Sequence, residues 1–505
     1  MDTLKNLSSY LQKNLIGIER ESLRIKKTGC IATTNHPANF GSPLTNRFIT
    51  TDFSESLIEI ITPALNEPKK VLNFLEDTLH FAYYNLENEE NLWPISMPCI
   101  IRGQTEINIA KYGSSNQAKM KETYRNGLAN RYGKAMQVVA GLHFNYSFSD
   151  DFWQKYQILL NNKSSQREFK DDKYMAIIRN VLRYGWVLYY YFGASNSVCK
   201  SFLNNYHDHS LVEFNDNTLY MPYATSLRMG DIGYQNTRED EAGVKANYNS
   251  ICQYTHSLQS AMQTPFAEYC EFDHKDELNQ QLNCNILQIE NEYYSSVRPK
   301  PKPESGIMPS ISLAKNGIEY VELRGLDINP LNPLGIDEEQ ILFLESFLLF
   351  CLTADSKPIS TKEQVEIDRN NIKVAHYGLD KNLKLTIDNN EVLLQSELKN
   401  INANILDSSS IFSQKHQDSV KAILKRQSPS TKILQQMRDE KQGFHSKSNE
   451  YAKKYQQYFE NKKINIKHFE MLQNESTESI KKTQAIEASD TIDFETFLKN
   501  YFNQL

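Results

Sequence analysis

The first two thirds of the chain contain several short segments in which apolar and polar side chains alternate. Such alternation occupies residues 17–24, 141–148, 285–297 and 317–330. A period of two, bounded by glycine or proline, predicts β-strands. Residues 57–62, rich in β-branched side chains and ending at a proline, predict a further strand. Because residues two apart share a strand face, Glu19 lies with Glu21, and Glu322 lies with Arg324.

Helical spacing of apolar residues marks other parts of the chain. It predicts helices over residues 67–90, 171–191 and 341–354. Asp337, followed three residues later by Gln340, is typical of a capping box at the start of the last of these helices. The leucines at positions 4, 7, 11 and 15 predict a short amphipathic helix at the N-terminus.

Composition divides the chain into two regions. Beyond about residue 360 it shifts to Lys, Gln, Asn and Glu with helical spacing, and serines at 408–413 mark a polar connection. We predict a sheet region over residues 1–360 and a mainly helical region over 361–505, packed on the same body and without chemistry. The repeated prolines of 298–306 predict a surface loop. Strands and helices in irregular order favour an α+β fold with an antiparallel or mixed sheet and helical outer layers.

Carboxylates recur on or beside the predicted strands. They are Glu19, Glu21, Asp52, Glu59, Glu290, Glu292 and Glu322, with His143 as a further candidate ligand. Ordered carboxylates directed inward need a cation or a partner, and oxygen ligands select Mg²⁺ or Mn²⁺ over zinc. Each residue alone is explained more simply by a solvated strand face, and a lone His143 by a place in the core. Their recurrence on several strands favours a divalent-cation site that binds a polyphosphate.

Bulk properties exclude several classes of protein. With 505 residues, 58.5 kDa and a net charge of −6, the chain has no basic excess for nucleic acid. The N-terminus lacks a signal-peptide core, and residues 341–354 are too short to span a bilayer. We therefore expect a cytoplasmic protein without membrane contact. The seven cysteines show no Cys-x-x-Cys spacing, which favours reduced thiols.

Arginines and aromatic residues add to the candidate site. Arg228 and Arg324 offer guanidinium groups that match phosphate or carboxylate, although an isolated arginine is more often a structural ion pair. Aromatic side chains provide a flat wall for a ligand, or serve packing alone; the candidates are Phe53, Tyr124, Tyr234 and Tyr294. The chain has no P-loop, Gly-x-Gly-x-x-Gly, His-Glu-x-x-His or Gly-x-Ser-x-Gly motif. Any bound ATP would therefore be held by metal ions and arginines.

Eight ordered segments resemble the glutamate–cysteine ligase (γ-glutamylcysteine synthetase) family of γ-proteobacterial type. They are residues 17–24, 50–63, 93–99, 112–116, 124–133, 222–228, 287–292 and 317–330. The resemblance covers about residues 15–355, and the C-terminal third resembles the family mainly in length and helical character. It implies a fold related to glutamine synthetase, in which an antiparallel sheet curves into a funnel lined by metal-binding carboxylates.

The resemblance also implies roles for individual residues. The metal-binding positions would be Glu19, Glu21, Asp52, Glu59, His143 and Glu322. The arginines near the transferred phosphate would be Arg228 and Arg324. The pocket for the cysteine side chain would comprise Phe53, Tyr124, Tyr234 and Tyr294, with Arg125 and Gln137 on the glutamate side. Glu290 and Glu292 lie in a matching motif without an assigned role.

The resemblance implies ligation of glutamate to cysteine through γ-glutamyl phosphate, with ATP as phosphoryl donor. Implied ligands are Mg²⁺ or Mn²⁺, ATP, glutamate and cysteine, with glutathione as a feedback inhibitor of a monomeric enzyme. Alternatives are a ligase with another amine acceptor, a phosphagen-type kinase, or an inactive scaffold, which should have lost inward carboxylates. A bifunctional glutathione-forming enzyme would need more chain after residue 360.

Overall fold

One antiparallel sheet organises the part of the chain that a computed structural model describes, residues 2–87, 89–203, 210–233, 245–271 and 280–505. The strands are β1 (Leu15–Ile25), β2 (Ile49–Thr51), β3 (Leu57–Ile61), β4 (Asn91–Leu92), β5 (Leu142–Ser147), β6 (Ser197–Cys199), β7 (Val212–Asn215), β8 (Thr218–Tyr220), β9 (Val297–Lys300), β10 (Tyr320–Leu326), β11 (Lys384–Ile387) and β12 (Asn390–Leu393). The main sheet has the order β2-β3-β1-β5-β10-β9, and β4 pairs with the end of β1. Strands β6–β8 and the hairpin β11–β12 form two small sheets.

The register of the central strands brings acidic side chains together. β1 lies between β3 and β5, with Glu21 opposite Glu59 and Glu19 opposite His143. β10 pairs with the other edge of β5 and contributes Glu322. Like charges directly opposite each other destabilise a strand pair. The sheet therefore concentrates electrostatic repulsion at its centre.

Helices surround the sheet. They are α1 (Ser8–Leu11), α2 (Pro68–Tyr84), α3 (Asn116–Tyr132), α4 (Asp150–Leu159), α5 (Gln166–Tyr184), α6 (Trp186–Phe192), α7 (Ile251–Gln263), α8 (Ala267–Cys270), α9 (Pro309–Asn316), α10 (Glu338–Thr353), α11 (Thr361–Tyr377), α12 (Leu394–Phe412), α13 (Gln414–Lys425), α14 (Pro429–Asp439), α15 (Phe444–Glu460), α16 (Ile466–Ser489) and α17 (Phe494–Phe502). The helices predicted at 67–90 and 341–354 are confirmed as α2 and α10. The helix predicted at 171–191 is divided into α5 and α6 at Gly185.

Helix α10 is the centre of the helical layer. Its residues 340–352 are all buried, and burying one large apolar side chain contributes about 1.5–3 kcal/mol. Asp337 caps the helix by accepting a hydrogen bond from the Gln340 backbone at 2.7 Å, which confirms half of the predicted capping box. The described residues show no return bond from the Gln340 side chain to the Asp337 backbone. Because α10 packs against α5, α12 and α13, the C-terminal helices share the core of the sheet region.

Two predictions around β9 are wrong. Residues 285–297 do not form a strand; a short 3-10 helix at Glu290–Glu292 interrupts them. Residues 298–300 of the predicted loop 298–306 belong to β9, because that segment pairs with β10, with Arg298 opposite Glu322. Residues 301–306 form no helix or strand, as predicted. The face shared by Glu290, Glu292 and Tyr294 in the predicted strand therefore does not exist.

The C-terminal and N-terminal regions also differ from prediction. Ser408 and Ser409 are buried within α12, where the Ser409 hydroxyl donates to the Leu406 carbonyl at 2.6 Å. The predicted connection at 408–413 is therefore confined to Ser413, which separates α12 from α13. The hairpin β11–β12 interrupts the predicted helical region. Leu15 begins β1 and is 40% exposed, so it does not extend the N-terminal helix.

The cysteine prediction is wrong for one pair. Cys270 and Cys284 form a disulfide. The backbone of Phe266 donates to the Cys284 carbonyl, so the segment before α8 is paired with the segment that contains Cys284. The free cysteines are Cys30, Cys99, Cys199, Cys252 and Cys351. Within the described ranges, no helix is both long enough and apolar enough to cross a membrane.

Candidate active site

A cleft of about 580 Å³ opens on the carboxylate face of the sheet. Its walls come from the central strands, the loop after β2, helix α3, the segment after β9 and the C-terminal end of the chain. The site residues predicted from the sequence that line it are Glu19, Asp52, Phe53, Glu59, Tyr124, Arg125, Gln137, His143, Glu322 and Arg324. Residues separated by up to three hundred positions thus meet in one place.

Glu19, Glu59 and His143 form the centre of the cleft floor. One ligand atom from each of these side chains lies within 4.8 Å of the other two. His143 Nδ1 is 3.1 Å from Glu19 Oε2, and its Nε2 is 3.6 Å from Glu21 Oε1. Asn145 Nδ2 donates to the other oxygen of Glu19 at 2.8 Å. We call Glu19, Glu21, Glu59, His143 and Glu322 the carboxylate cluster.

Glu322 joins the cluster to two cationic side chains. It is 1% exposed, and its Oε1 lies 3.2 Å from Arg324 Nη1 and 3.7 Å from His143 Nδ1. Its Oε2 lies 3.5 Å from Lys300 Nζ but accepts no hydrogen bond from any residue that the structure describes. A buried carboxylate oxygen in this state is available to a further positive ligand.

Neighbouring positive groups lower the pKa values of two cluster residues. Burial opposes ionisation of Glu322, but Lys300 and Arg324 hold the pKa of this carboxyl well below its usual range. Burial likewise opposes ionisation of Glu19, yet the hydrogen bond with His143 lowers the pKa of Glu19. Both groups are therefore ready to bind a cation as carboxylates.

The other cluster residues have raised pKa values. Burial, and then the charges of Glu19 and Asp52, raise the pKa of Glu59 well above its usual range. Burial also raises the pKa of Glu21. A bound divalent cation would offset the repulsion between these carboxylates and favour their ionised forms. The oxygen-rich donor set and the unbonded Glu322 Oε2 therefore fit Mg²⁺ or Mn²⁺.

A second group of positive charges lies along helix α3. The Arg125 Nε donates to the Asp52 carbonyl, its Nη1 donates to the Lys121 carbonyl at 2.9 Å, and its guanidinium lies 4.6 Å from the centre of the Tyr112 ring. Burial, and then Arg125, lower the pKa of Lys121 to about 8. Tyr124 stands on the same helix face. This part of the cleft can bind an anionic ligand beside an aromatic wall.

Other predicted site residues do not line the cleft. Arg228 is buried behind it, where its Nη2 donates to the Arg324 carbonyl at 2.9 Å. The Tyr294 hydroxyl lies 3.3 Å from the Met229 sulfur. Tyr234 lies outside the described residues. Glu21 is buried outside the cleft lining but stays within the cluster, since its Oε1 lies 3.6 Å from His143 Nε2 and its Oε2 accepts from the Gly141 backbone at 2.6 Å.

Glu290 and Glu292 have structural partners outside the cleft. Glu292 Oε1 accepts hydrogen bonds from Arg131 Nη1 at 2.9 Å and the Tyr132 hydroxyl at 3.0 Å. Glu290 Oε1 accepts from the Ser310 backbone at 2.8 Å. Their inclusion in the carboxylate set is therefore wrong, because the turn at 290–292 directs them to other elements.

Sequence reasoning missed several residues that line or support the cleft. Asn145 shares a strand face with His143, so the alternation of β5 could have identified it. Lys300 is not among the predicted site residues, because the prolines of 298–306 predict a surface loop. The C-terminal part of the chain also contributes four side chains to the cleft lining, namely Ile486, Asp490, Phe497 and Tyr501. No local pattern distinguishes these four from ordinary helix residues.

Comparison with known proteins gives a consistent result. The family model described as glutamate–cysteine ligase matches residues 2–374. A glutamate–cysteine ligase from Pseudomonas putida (strain W619) is 39% identical over 502 residues, covering 97% of this chain and 95% of the relative. The enzyme of the same name from Aliivibrio salmonicida is 43% identical over 375 residues, covering 74% of this chain and 71% of the relative.

Solved structures agree with this result. The crystal structure of a glutamate–cysteine ligase from Francisella tularensis in complex with AMP superposes with a TM-score of 0.91 at 33% identity, covering 97% of this chain and 98% of that one. A bifunctional glutathione synthetase from Pasteurella multocida has a TM-score of 0.72 at 24% identity, and the match covers 90% of this chain and 53% of that one. The second comparison shows a shared fold.

Proposed function

This chain belongs to the glutamate–cysteine ligase family, and from that premise we propose that it joins the γ-carboxylate of L-glutamate to the amine of L-cysteine. ATP drives the ligation and is released as ADP and phosphate, and the product γ-glutamylcysteine is the precursor of glutathione. The carboxylate cluster beside Arg324, in one cleft, is the observation that carries the proposal.

The cluster would hold Mg²⁺, or Mn²⁺ in its place. The proposed ligands are Glu19, Glu21, Asp52, Glu59, His143 and Glu322. When bound, the ions would offset the negative charge of ATP, the glutamate side chain and the departing phosphate. The proposal extends to the shape of the sheet, which would curve into a funnel related to that of glutamine synthetase.

Two arginines are proposed to act on phosphoryl transfer. Arg324, oriented by its contact with Glu322, would contact the γ-phosphoryl group as its charge is redistributed in the transition state. Arg228 would support Arg324 from behind, through the hydrogen bond to the Arg324 carbonyl. The glutamate carboxylate attacks phosphorus, ADP leaves, and the cysteine amine then displaces phosphate from γ-glutamyl phosphate with loss of a proton.

The amino-acid substrates are assigned to the part of the cleft near α3. Arg125 and Gln137 are proposed to contact glutamate. The cysteine side chain would lie against Phe53 and Tyr124. The assignment of Tyr294, which does not line the cleft, and of Tyr234 to the same pocket rests on the family resemblance. Positioning of the reacting groups, without a covalent enzyme intermediate, would supply much of the rate gain.

Several wider properties belong to the same proposal. The enzyme would be a cytoplasmic monomer whose proposed metal ligands and arginines all lie in the region 1–360. The helical region 361–505, predicted to be without chemistry, contributes four side chains to the cleft wall. Glutathione, which contains the γ-glutamylcysteine unit, would bind in the cleft as a feedback inhibitor.

The decisive assay combines the protein with ATP, Mg²⁺, glutamate and cysteine, and identifies the peptide by mass and linkage. We expect ADP, phosphate and γ-glutamylcysteine in equal amounts, and no peptide when either amino acid is omitted. Phosphorylated product without peptide would indicate a kinase, and a peptide formed only with another amine would indicate a different acceptor. AMP and pyrophosphate as products would contradict the mechanism.

A further inference from the structure

The end of the chain forms part of the cleft wall. Ile486 and Asp490 at the end of α16, and Phe497 and Tyr501 on α17, border the same cleft as the carboxylate cluster. We call residues 486–504 the C-terminal strap. We propose that the strap forms the wall against which the adenine base of ATP packs, with Phe497 and Tyr501 as its aromatic contacts. This inference rests on the function proposed above.

The strap is attached on both sides of the cleft. On one side, the Asn116 backbone donates to the Asp490 carboxylate, and the Asn116 side chain donates to the Ile492 carbonyl at 2.8 Å. On the other side, the Gln504 side chain donates to the Gly306 carbonyl at 2.9 Å. The strap therefore runs from the start of α3 to the segment after β9. Its attachments hold α17 over the cleft even though none of the residues of that helix is fully buried.

The strap end of the cleft carries apolar side chains that are incompletely covered. Phe497, Tyr501 and Ile486 are half-buried there, and Ile307, which lines the same cleft, is 37% exposed. Apolar side chains that line a concave surface without covering each other favour a ligand with apolar faces. A purine base matches this requirement, because it is planar and stacks on aromatic side chains.

The adenine base is assigned to the strap end of the cleft because the amino-acid substrates are assigned to the other end. Gln117 and Leu128 of α3 both line the cleft, and eleven helical residues span about 16 Å. The strap is attached at the Asn116 end of α3, whereas Tyr124 and Arg125, proposed for the amino acids, lie further along the helix. The two ligand types therefore occupy different ends of the cleft.

Two cationic side chains line the cleft on the strand that leads from the carboxylate cluster toward the strap. Arg298 and Lys300 of β9 line the cleft, and Lys300 Nζ lies 3.5 Å from Glu322 Oε2. The chain then continues to Gly306, which contacts the strap. A polyphosphate bound at the cluster and extended along these side chains would deliver its base to Phe497 and Tyr501.

Single substitutions of the strap test the inference. Phe497→Ala and Tyr501→Ala should each raise the KM for ATP by about tenfold, the effect of losing one stacking contact. The KM values for glutamate and cysteine should stay within about twofold of those of the unmodified enzyme. The matched control is Phe502→Ala, which removes a ring from the same helix outside the cleft lining. Phe497→Leu, which keeps an apolar side chain but removes the ring, should give the same selective effect if Phe497→Ala unfolds.

Binding of AMP, measured by titration calorimetry without amino acids, separates this inference from the ligase proposal. Both strap variants should weaken AMP binding by about tenfold while inhibition by inorganic tripolyphosphate stays unchanged. Unaltered AMP binding, or an increase confined to the KM for cysteine or glutamate, would overturn the inference whatever peptide the enzyme makes. If Phe502→Ala and the two strap variants lose AMP affinity equally, the strap has only a structural role, and the inference is overturned.

Discussion

At the scale of single residues, the position of Arg228 depends on a buried network. The Asp327 carboxylate accepts hydrogen bonds from the hydroxyls of Ser195 at 2.6 Å and Ser226 at 2.9 Å. Ser226 in turn caps the short helix Leu227–Met229 that carries Arg228. On the other side, Gly141 lies against the Arg228 guanidinium, where a β-carbon would overlap Nη2. Arg228 is therefore confined from both directions.

Gly141→Ala should displace the Arg228 guanidinium, and through it Arg324. We expect kcat to fall by about tenfold or more with a smaller change in the KM for ATP, because the proposed role is in the transition state. Steady-state kinetics measure both constants. The matched control is Gly17→Ala, whose β-carbon would lie 3.5 Å from Asn145 Cβ, an ordinary contact. Unchanged kcat in Gly141→Ala would show that the enzyme does not need Arg228 in this place.

Arg324 should act on catalysis more than on binding. Arg324→Ala should lower kcat by roughly two orders of magnitude, as expected for loss of one preorganised charge at a transferring group, and raise the KM for ATP less. Arg324→Lys should restore only part of the rate, because an ammonium group cannot reproduce a two-pronged contact. If Arg324→Ala weakens ATP binding at constant kcat, the residue is a docking contact and the proposed role is wrong.

At the scale of elements, the pairing of β1 with β3 places Glu21 opposite Glu59. In the metal-free protein at neutral pH, Glu59 either carries a charge beside Glu19 and Asp52 or takes up a proton, and both cost folding free energy that a neutral glutamine avoids. Glu59→Gln should therefore raise the melting temperature measured in a chelator, relative to the unmodified protein. Added Mg²⁺ should stabilise the unmodified protein and leave the variant nearly unchanged, since a proposed ligand is missing.

The exposed Glu87→Gln is the control for this comparison. It should have no effect on the melting temperature with or without Mg²⁺. A Glu59→Gln variant that melts below the unmodified protein in chelator would show that the carboxyl stabilises the sheet by itself. The proposal that the strand pair is built for a cation would then fail.

At the scale of the whole molecule, the burial of His36 predicts that folding is sensitive to acid. Among the described residues, neither ring nitrogen of His36 has a hydrogen-bond partner, and the ring lies edge-on to Phe40 at 5.5 Å. Burial, and then the charge of Arg24, lower the pKa of His36 to about 3. Below pH about 6.5 the unfolded chain takes up a proton that the folded protein does not. Stability should therefore fall as the pH decreases through that window.

His36→Phe should flatten this dependence. Between pH 7 and 5 the unmodified protein should lose on the order of 2 kcal/mol of unfolding free energy through His36, calculated from the separation of pH 5 from the unfolded pKa. Urea unfolding at both pH values measures the loss, and the exposed His256→Asn is the control. An identical pH dependence in His36→Phe and the unmodified protein would assign the acid sensitivity to other groups.

Much of the sheet and of its acidic face is predictable from the sequence. Strand alternation is a local signal with a period of two, so the faces carrying Glu19, Glu322 and Arg324 can be read without knowing their partners. The signal that predicts α10 is equally local, since Asp337 and the apolar residues that follow it mark the start of the helix. The ordered segments also identify the family, and with it the reaction.

The tertiary structure decided what local patterns cannot express. Register set which carboxylates face each other, because pairing depends on the packing of whole strands and the same alternation permits several registers. Glu292 pairs with Arg131, about 160 positions away in the sequence, and therefore does not belong to the carboxylate cluster. The strap reached the cleft because α16 and α17 pack across α3 and the segment after β9. Contacts between distant segments depend on how all the helices and strands bury their apolar surfaces together. A short stretch of sequence does not contain that information.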